Sequence, residues 1–299
     1  MRITQLGTST TDRYLARFRR VLQYIDAHLE ESLDAERLSD FAGFSKYHFH
    51  RQFAALFGIS IFGYVQLTRL RRSSYLLAYR NEQVMQVALA SGFEGPEAFA
   101  RSFKKSTGQT PSEFRADPQW NSWHSRYEQL NEVRRSHMQA KHRPSEVKIV
   151  DFPATKVAAL EYQGDVRQIG GVIRRFIAWR RQNGLPPGVS DTFNVVYHHP
   201  RDDEDGANCH YDLCASSTRD IPENSEGVVG KLLPPGRCAT LTHIGSEATL
   251  GQSVSFLYRE WLPQSGEELR DLPLFFKRVK FFPDVGEHEA VTEIYLPIR

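Results

Sequence analysis

The stretch GFEGPEAFARSFKKSTGQTPSEFR, residues 92–115, decides how this chain folds, because it is the second copy of an earlier stretch. Residues 49–64 match residues 99–114 at an offset of 50: Phe49 with Phe99, Arg51 with Arg101, Phe53 with Phe103, Gly58 with Gly108 and Tyr64 with Phe114. Just upstream, Gly43-Phe44 pairs with Gly92-Phe93. A recurrence at a constant spacing means that one supersecondary unit is used twice.

Each copy reads as helix, tight turn, helix. In the first, Asp34 suits an N-cap and Ala35, Leu38 and Phe41 follow at helical spacing. Gly43 then ends that helix, where a positive φ disfavours other residues. Ser45 opens the next, with Phe49, Phe53 and Leu56 on its apolar face. In the second copy Val84, Val87 and Ala88 form the apolar face, Gly92 the turn, and Pro96 the first helical position, where a missing N–H is harmless. The outward faces carry Lys46, Tyr47, His50 and Arg51 in one copy, and Pro96, Glu97, Arg101, Lys104 and Lys105 in the other. Arg stands in the same outward slot of both, and Arg can bridge O6 and N7 of guanine. An outward Arg is also what any solvated helix carries. The fixed repeat, with Arg at both equivalent places, puts a double-stranded DNA reader level with that plain reading. Residues 61–80, with Arg69, Arg71 and Arg72, read as one helix joining the two heads, which should sit about 34 Å apart, one turn of B-DNA.

Composition sets the wider limits. The 299 residues are 40% hydrophobic and 25% charged, too many for one ordinary domain and suitable for two. The net charge of +2 conceals an excess of +6 over residues 1–146 and −4 over the remainder. The basic half is the one suited to a polyanion. No run of about 18 apolar residues is present, so no membrane span is expected, and the N-terminus lacks a signal peptide's apolar stretch. With three cysteines, this composition suggests a cytoplasmic protein with reduced thiols.

The second half changes character and also repeats, at an offset of 81. Pro153 pairs with Pro234, Lys156 with Arg237, Ala158 with Ala239, Leu160 with Leu241, Gly164 with Gly245 and Gly170 with Gly251. Helices are expected over 168–181 and 249–261, and strands over 193–198, 210–216, 276–282 and 291–298. The fold class is therefore multidomain: an N-terminal all-α double helix-turn-helix and a C-terminal α+β domain of two β-α-β-β repeats. The domain limits are 1–116 and 147–299, with 117–146 as a linker. Trp120, Trp123, Tyr127 and Leu130 give that linker a short amphipathic helix, and Lys141–Ser145 reads as a hinge.

Residues 12–116 resemble the DNA-binding domain of AraC/XylS-family transcription regulators, through residues 92–115 and LDAERLSDFAGFSKYHFHRQFAALFG (33–58). The resemblance implies seven helices and two recognition helices in adjacent major-groove segments. Lys46, Tyr47, His50, Arg51, Pro96, Glu97 and Arg101 fall on the family's DNA-contacting slots. Pro96 and Glu97 replace the amides found in some relatives, so the second unit is expected mainly to grip phosphates through Arg101, Lys104 and Lys105. Residues 147–299 resemble the GyrI-like effector-binding domain, most clearly in TEIYLPI (292–298) and EYQG (161–164). That resemblance implies a groove for a small, cationic or amphipathic effector, with Glu293 facing it. Val291, Glu293 and Tyr295 share one face of the closing strand, and Tyr162 is a further candidate lining residue.

The expected function is a sequence-specific regulator with an effector and RNA polymerase as further partners, not an enzyme. Dimerisation is not required, since one chain carries two heads. Two alternatives concern the C-terminal half. It acts as a hydrolase using Glu293 with Tyr295 or Tyr162, or as a protein-interaction module. No cofactor or metal is expected: His198, His199, Cys209, His210 and Cys214 crowd together but match no common zinc spacing.

Overall fold

The computed structural model describes residues 10–138, 141–198 and 208–299. Seven helices form the first part: α1 (Thr10–Ala27), α2 (Ala35–Ala42), α3 (Lys46–Phe57), α4 (Ile61–Tyr79), α5 (Val84–Ala90), α6 (Pro96–Thr107) and α7 (Pro111–Ala116). The offset of 50 maps the bounds of α3 onto those of α6, and it extends further. Ser60 caps α4 by accepting from the Gly63 N–H, and Thr110 caps α7 by accepting from the Glu113 N–H. Each unit thus has three helices. Asp34 caps α2 as expected, accepting from the Arg37 N–H at 2.8 Å. Gly43 and Gly92 have φ of 65° and 77°, the left-handed turns read from the sequence. Aromatic packing repeats too: Phe53 meets Tyr64 at 6.0 Å between ring centroids, and Phe103 meets Phe114 at 5.3 Å.

Helix α4 is buried nearly all round and is the axle of this half. Its arginines bond to protein: Arg71 is buried, and Arg69 and Arg72 are half-buried. Arg69 donates to the Leu29 and Glu31 carbonyls, Arg72 pairs with Glu30, and Arg71 pairs with Glu287.

The segment read as a linker is not one physically. Trp120–His137 forms an eighteen-residue helix, α8, whose Trp120, Trp123, Tyr127, Leu130 and Val133 are buried in the N-terminal core. The apolar spacing in 120–133 was longer than a short amphipathic helix needs, and a core with aromatics on several helices takes it up. Nor does the described part of the proposed hinge stand free: His142 hydrogen-bonds Ser253 at 2.7 Å and packs on Phe256.

The second part is one eight-stranded antiparallel sheet, ordered β1 (Lys148–Phe152), β6 (Gly236–Ile244), β8 (Val291–Pro297), β7 (Leu274–Lys280), β3 (Thr192–His198), β4 (Asn208–Ser216), β2 (Thr155–Asp165) and β5 (Val229–Leu233). Helix α9 (Ile169–Gln182) follows β2, and α10 (Glu247–Phe256) follows β6 and runs on through a π-helical turn to Trp261. The β-α-β-β copies are therefore β2-α9-β3-β4 and β6-α10-β7-β8, side by side through β3 and β7. Each copy also has a leading strand that crosses over. β1 pairs with β6 of the second copy, and β5 pairs with β2 of the first.

Both helices cover one face of the sheet. On the other face Phe152 of the edge strand β1 lies 4.9 Å from Phe275 and 6.1 Å from Phe193, both on central strands. Leu233 of the opposite edge joins the same cluster. A flat sheet would keep its edges apart, so this one curls until both edges close over its middle. Among the described residues no single helix is long and apolar enough to cross a membrane.

Candidate functional site

The first surface with chemistry is the outer face of α3 and α6. Their inner faces are fixed by fully buried Phe49 and Phe53, and Phe99 and Phe103. Helical periodicity then forces Lys46, Tyr47 and Arg51, and Glu97, Arg101, Lys104 and Lys105, into solvent, where each is exposed. Tyr47 is 85% exposed, an unusual state for an aromatic and a fitting one for a side chain awaiting a partner. His50 and Pro96 are half-buried; the His50 ring packs 5.5 Å from Phe62. Pro96 takes the first position of α6, with Glu97 in its first turn and Lys104 and Lys105 in its last. Glu97 places an exposed carboxylate in the first turn of α6.

The second surface is the concave face of the sheet. Cross-strand pairs share a face, so the register is decisive. Glu293 lies opposite Thr242 and Lys277, and Tyr295 opposite Thr240 and Phe275. Val291, Glu293 and Tyr295 thus face the concave side together. Tyr162 does not. It alternates with Ala158 and Leu160, which pack under α9, and its hydroxyl donates to the Asp165 carbonyl at 2.7 Å. The sequence reading that joined Tyr162 to Glu293 is corrected by the pleat: β2 presents Ala159 and Glu161, not Tyr162, to the concave side.

The duplication supplies a residue that the sequence reading missed. The offset of 81 carries Glu293 onto Asp212 of β4, on the same concave face. Asp212 is 1% exposed and is neutralised by Lys231, whose ammonium reaches its two oxygens at 2.9 and 2.8 Å. The Tyr197 hydroxyl also donates to it at 3.0 Å. Burial, then the hydrogen bond to Asp212, pushes that phenol up to about 12. At the place equivalent to Lys231, β1, the strand that crosses over to the second copy, has Val150. Glu293 accepts from the Tyr295 hydroxyl at 2.8 Å, and its cross-strand neighbour Lys277 turns to Asp191 at 2.9 Å. The acid of the first copy receives a cation from the strand that crosses over to it, and the acid of the second is left to a phenol. Burial and the bond to Glu293 likewise raise the Tyr295 phenol. A 190 Å³ cavity lies against Asp212, Lys231 and Phe275, and Glu293 does not line it.

The crowded histidines and cysteines do not converge: Cys209, Cys214 and Cys238 are buried, and no group of three metal-ligating side chains occurs among the described residues. His199 and the acidic run 202–205 lie outside the described residues.

A third feature was invisible in the sequence. Glu287, from the turn before β8, is buried at the domain junction. It pairs with Arg71 of α4 at 2.7 Å, with the wholly buried Arg134 of α8, and accepts from Ser246 at 2.6 Å. Arg134 also pairs with Asp26 of α1 at 2.8 Å. Burial alone would raise the Glu287 carboxyl, but Arg134 and Arg71 outweigh it and hold it below the ordinary range. Nearby, Gly170 of α9 lies against the Trp120 ring, so closely that a Cβ there would be 2.5 Å from it. The junction is packed and ion-paired, not a loose tether.

Comparison with known proteins agrees with this architecture. The family described as the GyrI-like small molecule binding domain matches residues 145–299, more than half of the chain. The chain belongs to this family. A helix-turn-helix domain of the AraC type matches residues 38–117. The probable transcriptional regulator YgiV of Escherichia coli strain K12 is 33% identical over 154 residues, which cover 51% of this chain and 96% of YgiV. Among solved structures, the EcmrR C-terminal domain aligns with a TM-score of 0.43 and 16% identity over 51% of this chain and 96% of that one. The DNA-binding domain of AdpA, solved with a target DNA, aligns with a TM-score of 0.32 and 29% identity over 38% of this chain and 96% of that one. By its two family matches, the chain is a DNA-binding transcriptional regulator in which a GyrI-like small molecule binding domain follows the helix-turn-helix domain.

Proposed function

We propose that this is a one-component, cytoplasmic regulator without catalytic turnover. In this reading α3 and α6 enter neighbouring major-groove segments, and an organic cation on the concave sheet changes how the protein recruits RNA polymerase. The observation that carries the DNA half is the duplicated unit with Arg51 and Arg101 exposed in matching slots. Lys46, Tyr47, His50 and Arg51 are assigned to bases and adjacent phosphates. Pro96 and Glu97 frame the entry of α6, and Arg101, Lys104 and Lys105 bind phosphates. The effector half rests on the unequal acids: Lys231 already supplies Asp212 with a cation, whereas Glu293, on one strand face with Tyr295 and Val291, has none bonded to it among the described residues. A lipophilic cation supplies the missing charge and stacks on the aromatics.

Selection of bound sites from genomic DNA, followed by anisotropy titration, tests the first half. A specific site should emerge with a steep salt dependence. Absence of DNA binding at low salt would sink the reading. Calorimetric titration with tetraphenylphosphonium tests the second: it should bind, and Glu293→Gln should weaken it at least tenfold. For a ligand to switch the protein, DNA-competent and incompetent states must bind it unequally, so its affinity should change when DNA is present.

A further inference from the structure

The helix-covered face holds a larger space than the concave one. A cavity of 410 Å³ lies where the two copies meet, between α9 and α10. Its floor is the middle of the sheet, with Thr192 and Asn194 on β3 and Arg278 on β7. Its roof is not part of the GyrI-like domain: it is α4, through Arg71, Tyr75 and Tyr79, with Arg80 just past its end. The volume falls in the range of small-molecule sites, roughly 300–1,000 Å³.

The wall charges decide what fits. Three carboxylates line the cavity, and each is consumed by a protein cation: Glu287 by Arg71 and Arg134, Asp284 by Arg80 at 2.6 Å, and Glu247 by Arg278 at 2.6 Å. Three further cations in the wall have no carboxylate among the described residues. Arg180 is 3% exposed and donates only to neutral oxygens, on Leu185, Ser190 and Thr192. Burial pulls its guanidinium down to about 10. Arg181 and Lys280 are exposed; Arg181 donates to the Tyr79 carbonyl at 2.9 Å, and Lys280 has no ion pair among the described residues. Arg71, 5% exposed, also keeps a buried Nε without a hydrogen-bond acceptor. The rest of the wall is apolar and aromatic, including Tyr75, Phe176 and Phe282.

We infer that this junction cavity is a second ligand site, distinct from the concave face, and that it takes an amphipathic anion such as an aryl carboxylate. The carboxylate meets the uncompensated cations, and the ring fills the space between α4 and α9. Arg180 is buried without a counterion, and Arg181 and Lys280 stand exposed at the cavity's rim, so the wall attracts an anion and repels a cation. Because α4 joins the two reading heads and roofs the cavity, a ligand there touches both domains at once. This assignment does not depend on the cation site at Glu293.

Calorimetric titration of the full chain with 2-naphthoate, its neutral amide 2-naphthamide, and tetraphenylphosphonium tests it. Naphthoate should bind at least tenfold more tightly than the amide. The double variant Arg181→Gln/Lys280→Gln should lose at least tenfold in naphthoate affinity. So should Asn194→Asp, which adds negative charge to the floor without changing volume. An unchanged urea midpoint certifies that each variant folds. Glu293→Gln should leave naphthoate binding intact. The inference is overturned by absence of naphthoate binding, by equal binding of acid and amide, by wild-type affinity in either folded cavity variant, or by loss of naphthoate binding in Glu293→Gln.

Discussion

The two reading units share a plan and differ in how they are held. Both recognition helices are twelve residues long, with phenylalanine at matching buried places. In the first unit the turn glycine, Gly43, lies under the Arg17 side chain, which donates to the Ala42 carbonyl at 2.7 Å and covers Phe44 at 3.9 Å. In the second, Gly92 is pressed against backbone, the Leu29 carbonyl. The first helix begins with Lys46 and Tyr47 in solvent, and the second with Pro96 and Glu97. Duplication has kept the face that packs and released the face that reads. The contrast supports unequal duties: base reading by the first unit, backbone anchoring by the second.

The largest expected effect concerns what they share. Phe53→Ala and Phe103→Ala should each cost about 3–5 kcal/mol in urea unfolding, since each empties a fully buried site. A large inequality between the two would break the symmetry of the cores. Next come the turns. Gly43→Ala should cost about 1 kcal/mol for its left-handed backbone, because the Arg17 side chain can swing aside. Gly92→Ala should cost about 1–3 kcal/mol more, since a Cβ would stand 1.9 Å from the Leu29 carbonyl and backbone must move. Equal losses would show that the two turns are held alike.

DNA binding sharpens the division of labour. Arg51→Ala should remove about 1–3 kcal/mol of discrimination at one base pair, read by competition between site variants. Lys104→Ala should instead weaken all sequences alike and lower the salt slope by about 1. If Lys104→Ala altered base preference, the second unit would be a reader after all. The smallest effect is Glu97→Gln, which should tighten binding by less than about 1 kcal/mol without changing preference, as a repelled phosphate is relieved.

Much of this was legible in the sequence, because both halves are duplicated and a duplication marks element boundaries twice. The turn glycines, the Asp34 cap, the place of Pro96 in the first turn of α6 and several of the strands followed from local rules. The junction did not. Glu287 meets Arg71 and Arg134 across more than 150 positions of chain, and no local pattern encodes such a meeting. The segment 117–146 looked polar because helix α8 shows solvent one face while burying the other. Tyr162 was misplaced because motif likeness ignores the pleat, in which a single residue reverses the face. Asp212 was within reach: the offset of 81 points to it from Glu293.

The exchanged leading strands have a consequence for the domain's history and its engineering. A polypeptide ending after β4 would keep β1 but have nothing to pair it with, and β2 would present a bare edge where β5 should lie. Two such half-chains would complete each other, each lending its first strand to its neighbour. The geometry is that of a domain-swapped pair of half-domains carried within a single polypeptide. Cutting the chain between β4 and β5 should yield fragments that are insoluble apart and recover the sheet only when produced together.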